Sequence, residues 1–214
     1  MKGLLKNNFF AACSNAKVFS VFMLVAGIFV VAILNPSILI GYVLFGIGGF
    51  SVIALAGLKR EYLSKWGKYK LTLPLKRADI IKSHFISQLI WLTVGTFYAG
   101  AGVSLSWLLH GCPFDKSIDT LSVFALGISI SLLTAALFFP LFYLGGEERG
   151  DVFLMISLLC GSGIAFIIIS LLNFYLVPGL TAILLGDAVL FVCSLLAFTF
   201  SYPLTVGIYG KKEY

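Results

Sequence analysis

Glu147, Glu148 and Arg149 form a tight run of ionisable side chains beside an apolar segment. Paired carboxylates occur in intramembrane hydrolases, but hydrolysis needs a base or metal held beside the water it activates, and no histidine stands near this pair. As acids at the start of a helix they complement its dipole, and that role suits a short loop. His84 and His110 flank a segment that, read as a helix of about 26 residues, separates them by roughly 39 Å, too far to share a metal. Gly46, Gly48 and Gly49 lie inside an apolar stretch without the lysine that completes a phosphate-binding loop, so they read as helix-packing positions. Of the four cysteines, Cys13, Cys112, Cys160 and Cys193, only Cys112 falls in an expected outer loop, and no disulfide partner stands near it. Asp187 has two readings. It can cap a helix start at the outer interface, or it can couple protons, since a carboxylate at mid-membrane costs about 2.5 to 3.5 kcal/mol and usually marks a pathway.

The chain that carries these groups is 60% hydrophobic and 11% charged, which excludes an ordinary soluble domain, where about a quarter of residues are charged. Apolar stretches of roughly 20 residues cross a bilayer as helices, because lipid offers backbone groups no partners. The expected fold is all-α, a single membrane-embedded domain over residues 1–214 with six transmembrane helices. The first runs from about Lys17 to Leu34, and Asn35-Pro36-Ser37 turns into the second, Ile38 to Leu58. The third covers Ser83 to Leu109, the fourth Thr120 to Leu144 and the fifth Val152 to Leu172. The sixth ends near Tyr209. Counting one bilayer thickness back from there places its outer end near Asp187, leaving 173–186 as an outer membrane-dipping segment. Residues 1–16, with Leu4, Leu5, Phe9 and Phe10 among Lys6 and Lys17, are expected to form an amphipathic interfacial helix. The first span lacks a small-residue cleavage site and is expected to stay attached. Small residues at four-residue spacing, Gly95 with Ala99 and Ser157 with Gly161 and Ala165, predict close helix packing, by default within one chain.

Fourteen of the fifteen Lys and Arg residues fall on one face of this topology, all but Lys116. The bias of basic residues toward cytoplasmic loops therefore puts both termini in the cytoplasm and explains the net charge of +6 without a nucleic acid. Eight of the fifteen lie between Lys59 and Lys82, in KREYLSKWGKYKLTLPLKRADIIK. Tyr62, Trp66 and Tyr69 stand at i, i+4 and i+7, one aromatic stripe on a short helix, with Arg60, Lys65 and Lys68 off it. Pro74 ends that helix and restricts Leu73 before it. Such a helix can rest on anionic membrane lipids, each basic residue adding about 1 kcal/mol. Its length also allows it to protrude and dock on a cytosolic partner.

Four motifs carry a resemblance. They are the opening Met1-Lys2-Gly3-Leu4-Leu5-Lys6; Lys65-Trp66-Gly67-Lys68-Tyr69 followed by Leu71-Thr72-Leu73-Pro74-Leu75-Lys76-Arg77; Pro140 through Gly145-Gly146-Glu147-Glu148-Arg149; and Ser201-Tyr202-Pro203 through Ile208-Tyr209-Gly210-Lys211-Lys212. With them the chain resembles the permease subunits of bacterial ATP-binding-cassette exporters of the type-2 class, in the small six-span branch of phenol-soluble-modulin and lantibiotic exporter permeases. It departs from that pattern in the acidic residues before the tryptophan, which are reduced to Glu61.

The resemblance implies a non-catalytic membrane subunit in the bacterial cytoplasmic membrane, paired with a second copy or a paralogue. A separate ATPase subunit would bind ATP and magnesium, so no cofactor is expected on this chain. Residues 59–82 would be its coupling segment, with Glu61, Tyr62, Trp66, Tyr69, Leu73, Pro74 and Arg77 as coupling residues. Abundant phenylalanine and sparse ionisable groups in the spans suit an amphipathic or antimicrobial-type peptide as cargo, with a drug or lipid as the alternative. A substrate-capturing component of a vitamin uptake system should lack the long basic loop. A membrane-embedded enzyme would need a polar constellation within the spans, and a proton-coupled secondary transporter would depend on Asp187.

Overall fold

A computed structural model describes residues 2–33, 36–63, 76–111, 117–146, 149–175 and 180–211. Six long helices account for nearly all of them: α1 (Lys2–Ile33), α2 (Pro36–Leu63), α3 (Arg77–His110), α4 (Ser117–Gly145), α5 (Gly150–Tyr175) and α6 (Leu180–Gly210). Each is long and apolar enough to cross a membrane, as the hydropathy of the sequence requires. Pro36 opens α2 at the first helical position, where its missing N–H costs nothing.

α2 and α4 are the most buried helices, while α5 and α1 display apolar side chains such as Phe166, Leu159 and Val18 outward, the arrangement a lipid surround allows. α4 packs most extensively on α6, and α2 on α3. The α2–α3 contact, and that of α5 on α4, rest on small residues. A Cβ on Gly95 would come within 2.9 Å of the Gly46 carbonyl oxygen, so α2 and α3 cross with their backbones nearly touching. Gly161 approaches α4 just as closely, at Thr134, and its stripe mates Ser157 and Ala165 are buried. The two small-residue stripes thus pack within the chain. Between these crossings, Phe50 lies beside Phe19, Trp91 and Tyr98, and Phe85 beside Phe139 and Phe198.

Three expectations change. Residues 2–16 are not a separate interfacial helix but continue without interruption into the first span. Leu4, Asn8, Ala12 and Ala16 recur every fourth residue and are all buried, which carries this part of α1 into the bundle. The described parts of 173–186 do not form a separate dipping segment either; 176–179 lie outside the described residues. Residues 173–175 end α5, and 180–186 are the first turns of α6. α6 therefore starts well before Asp187, which lies two turns inside the helix and cannot be its N-cap.

Candidate functional site

The helix ends that border the basic segment converge with both chain ends. Of the expected coupling residues, Trp66, Tyr69, Leu73 and Pro74 lie outside the described residues. Tyr62 sits in the last turn of α2. Glu61 and Arg77 mark the segment's two flanks, and neither is idle.

Glu61 is 5% exposed, turned into the bundle rather than toward a docking surface. It meets Asn8 from α1 and His84 from α3. With the Asn8 amide oriented so that its nitrogen faces the carboxylate, that nitrogen donates to Glu61 Oε2 at 3.0 Å, while Asn8 Oδ1 lies 2.9 Å from Ser83 Oγ and 3.2 Å from His84 Nδ1. The other ring nitrogen of His84 is 4.0 Å from Glu61 Oε2. The single hydroxyl proton of Ser83 is shared between Asn8 Oδ1 and the Ile80 carbonyl, 2.7 Å away, tying the knot to the first turns of α3. One turn further along, Gln88 donates to Ser51 of α2. All of these side chains are buried and bond to one another across three helices, as burial demands, except that Gln88 Oε1 receives no donor among the described residues.

The cavity beside this knot, lined in part by Glu61, His84 and Gln88, measures about 10 Å³, room for at most one water. It is too small for a substrate. Among the described residues no group of three His, Cys, Asp or Glu converges to hold a metal. What the arrangement can do is fix the relative position of α1, α2 and α3 and transmit a displacement of one to the others.

Arg77, at the other flank, opens α3 and reaches the end of α6. Its Nη1 donates to the carbonyl oxygens of Gly210 at 2.9 Å and Tyr209 at 3.3 Å. The last carbonyls of a helix lack intrahelical donors and carry the negative end of its dipole, so a guanidinium there both satisfies and neutralises them. The Tyr209 ring packs edge-on against Tyr143 of α4, at 5.2 Å between centroids. Lys59, one turn before Tyr62, pairs with Asp151 in the first turn of α5. Every helix is therefore tied at this end of the bundle, where the last turn of α2 and the first turn of α3 border the basic segment.

Sequence reasoning placed Glu61 and Arg77 at the segment but missed Asn8, Ser83 and His84 as their company. The available signal was the polar stripe Ser83, His84, Ser87 and Gln88, which recurs at four-residue spacing within an apolar span.

Asp187 lies at the opposite end, partly buried, with Oδ2 shielded and accepting no hydrogen bond from the described residues. It faces an apolar groove between α4 and α6 and stands apart from the knot.

The family model described as ABC-2 family transporter protein matches residues 3–210. No curated protein and no solved structure matches the chain. The matched region runs from the first turn of α1 to the last residue of α6 and takes in all six candidate spans, the knot and the Arg77 cap: the chain belongs to the ABC-2 transporter family, as a multi-pass membrane permease.

Proposed function

We propose that the chain is the membrane half of an ATP-driven exporter. It dimerises with a second copy or a paralogue in the bacterial cytoplasmic membrane, both termini facing the cytoplasm, and residues 59–82 dock on a separate ATPase subunit that binds ATP and magnesium. Tyr62, Trp66, Tyr69, Leu73 and Pro74 make the docking surface. Glu61 and Arg77 act behind it, relaying movement of the segment into the bundle.

The observation that supports this reading most directly is the double anchorage of that segment. Its entry is bound through Glu61 to α1 and α3, and its exit through Arg77 to α6. A push on residues 64–75 cannot leave those helices where they were. ATP binding shifts the permease only if the ATPase pair grips the segment differently in its open and closed states. The cargo is an amphipathic or antimicrobial-type peptide, for which spans rich in phenylalanine and serine and poor in charge are suited. An apolar hollow of about 510 Å³ bordered by Phe19, Phe45, Val52 and Leu158 favours a second reading, a drug or lipid exporter.

In pull-downs from detergent-solubilised membranes, an ATPase should accompany the wild type and be lost from a Trp66→Ala, Tyr69→Ala variant, which leaves the Arg77 cap intact. An ATPase that accompanies neither protein, or binds both equally, would sink the docking assignment.

A further inference from the structure

The groove at the end of the bundle away from the termini has a composition the coupling scheme does not use. α4 contributes Leu121, Phe124, Ala125 and Ile128, and α6 contributes Leu184, Asp187, Ala188 and Phe191. Both sets follow the spacing i, i+3, i+4, i+7, so each is one continuous face of its helix. Where those faces oppose each other, Ala125 and Ala188 supply too little volume to close the gap. A hollow of about 430 Å³ remains, within the range of about 300–1,000 Å³ typical of small-molecule sites. Among the described residues its lining is apolar except for Asp187, whose shielded Oδ2 receives no donor from them.

We infer that this groove binds a cationic amphiphile, with its ammonium group on the Asp187 carboxylate and its apolar tail along the facing surfaces of α4 and α6. A carboxylate only accepts hydrogen bonds, so its complement must donate, and a charged donor compensates the shielded carboxylate oxygen most fully. The rings of Phe124 and Phe191 add surfaces that favour a cation over a neutral head. A metal ion would need further oxygen ligands, and the groove offers one carboxylate. A sugar would leave its hydroxyls facing apolar walls. Bilayer phosphatidylethanolamine carries the same ammonium, but its phosphate would find no basic group among the described lining residues. The occupant is therefore a free amphiphile with a single positive head. This assignment concerns binding and stands whether or not an ATPase docks on residues 59–82.

The test is equilibrium binding of radiolabelled dodecylamine and, as a neutral probe with the same tail, dodecanol. The full chain is held in phosphatidylcholine nanodiscs, with empty discs subtracted. Saturable dodecylamine binding is expected in the wild type, weakened at least tenfold by Asp187→Asn, with dodecanol binding unchanged. Ala188→Phe, which fills the hollow and keeps the carboxylate, should weaken both probes, and gel filtration checks that each variant remains monodisperse. Equal dodecylamine affinity in the wild type and Asp187→Asn would overturn the assignment. So would loss of the saturable component when phosphatidylethanolamine is added to the discs, because the groove would then be a bilayer-lipid site.

Discussion

Ser201 Oγ on α6 donates to the carbonyl oxygen of Ala136 on α4 at 2.7 Å. That carbonyl lies four residues before Pro140, which has no N–H to return the usual helical bond. The proline thus frees an acceptor within the membrane-spanning region, and a neighbouring helix satisfies it, as lipid cannot. The bond thus brings the start of the Ser201 motif against the helical turn that leads into the Pro140 motif.

Ser201→Ala should therefore destabilise the bundle by about 1–2 kcal/mol, the cost of a buried acceptor left unmade. Pro140→Ala restores the backbone donor, so in its presence the loss of Ser201 should cost clearly less. A double-mutant cycle on thermal unfolding in detergent reads the difference. Equal costs in both backgrounds would show that Ser201 does not serve the freed carbonyl.

The buried Glu61 and His84 pair predicts an asymmetry between single and double replacements. His84→Leu leaves the carboxylate in the bundle without that partner and should cost about 3–5 kcal/mol, whereas Glu61→Leu with His84→Leu should recover much of the loss. Asn8, which bonds to both, is kept in each variant. Unfolding by denaturant titration would show the double variant closer to wild type than the single one. A double variant that is additive or worse would mean the two groups act independently.

The number of spans was legible because each is a long apolar run that no soluble helix needs. Which face of each span turns inward was not, because apolar residues surround most of these helices and leave no polar face to mark the lipid side. The exceptions are informative. Asn8 and the stripe Ser83, His84, Ser87, Gln88 break the apolar pattern, and most of these residues lie in or beside the knot. Residues 2–16 were read as interfacial because Lys6 and Lys17 bracket apolar side chains, yet the buried spacing through Leu4, Asn8, Ala12 and Ala16 continues directly into the span. Asp187 was placed at a helix start by allowing α6 only one bilayer thickness. The helix has 31 residues, longer than the bilayer core requires, so counting back from its end misplaces its beginning.

Gly95 should tolerate no side chain. Its added Cβ would stand 2.9 Å from the Gly46 carbonyl oxygen and 3.1 Å from Phe50 Cβ, and backbone cannot move aside as a flexible side chain can. Gly95→Val is expected to cost about 1–3 kcal/mol by forcing α2 and α3 apart. Gly100, on the same helix with open space around it, is the control, and Gly100→Ala should be nearly neutral. Comparable melting temperatures for the Gly95→Val and Gly100→Ala proteins would contradict the close crossing.

Arg77 is where the structure separates docking from relay. Its Nη1 donates to two carbonyls at the end of α6, from the end of a long planar guanidinium whose reach the compact, strongly hydrated ammonium of lysine reproduces poorly. If the coupling segment acts on α6 through this contact, Arg77→Lys should leave ATPase capture in the pull-down intact. It should lower transport per ATP hydrolysed several-fold in reconstituted vesicles, whereas Trp66→Ala with Tyr69→Ala should lower capture itself. Arg77→Gln, which keeps two donors and removes the charge, should fall between wild type and Arg77→Ala in the same assay. Should Arg77→Ala transport as much per ATP as wild type, the relay to α6 would have to run through another contact at this end, and the Tyr143–Tyr209 ring pair is the next to remove.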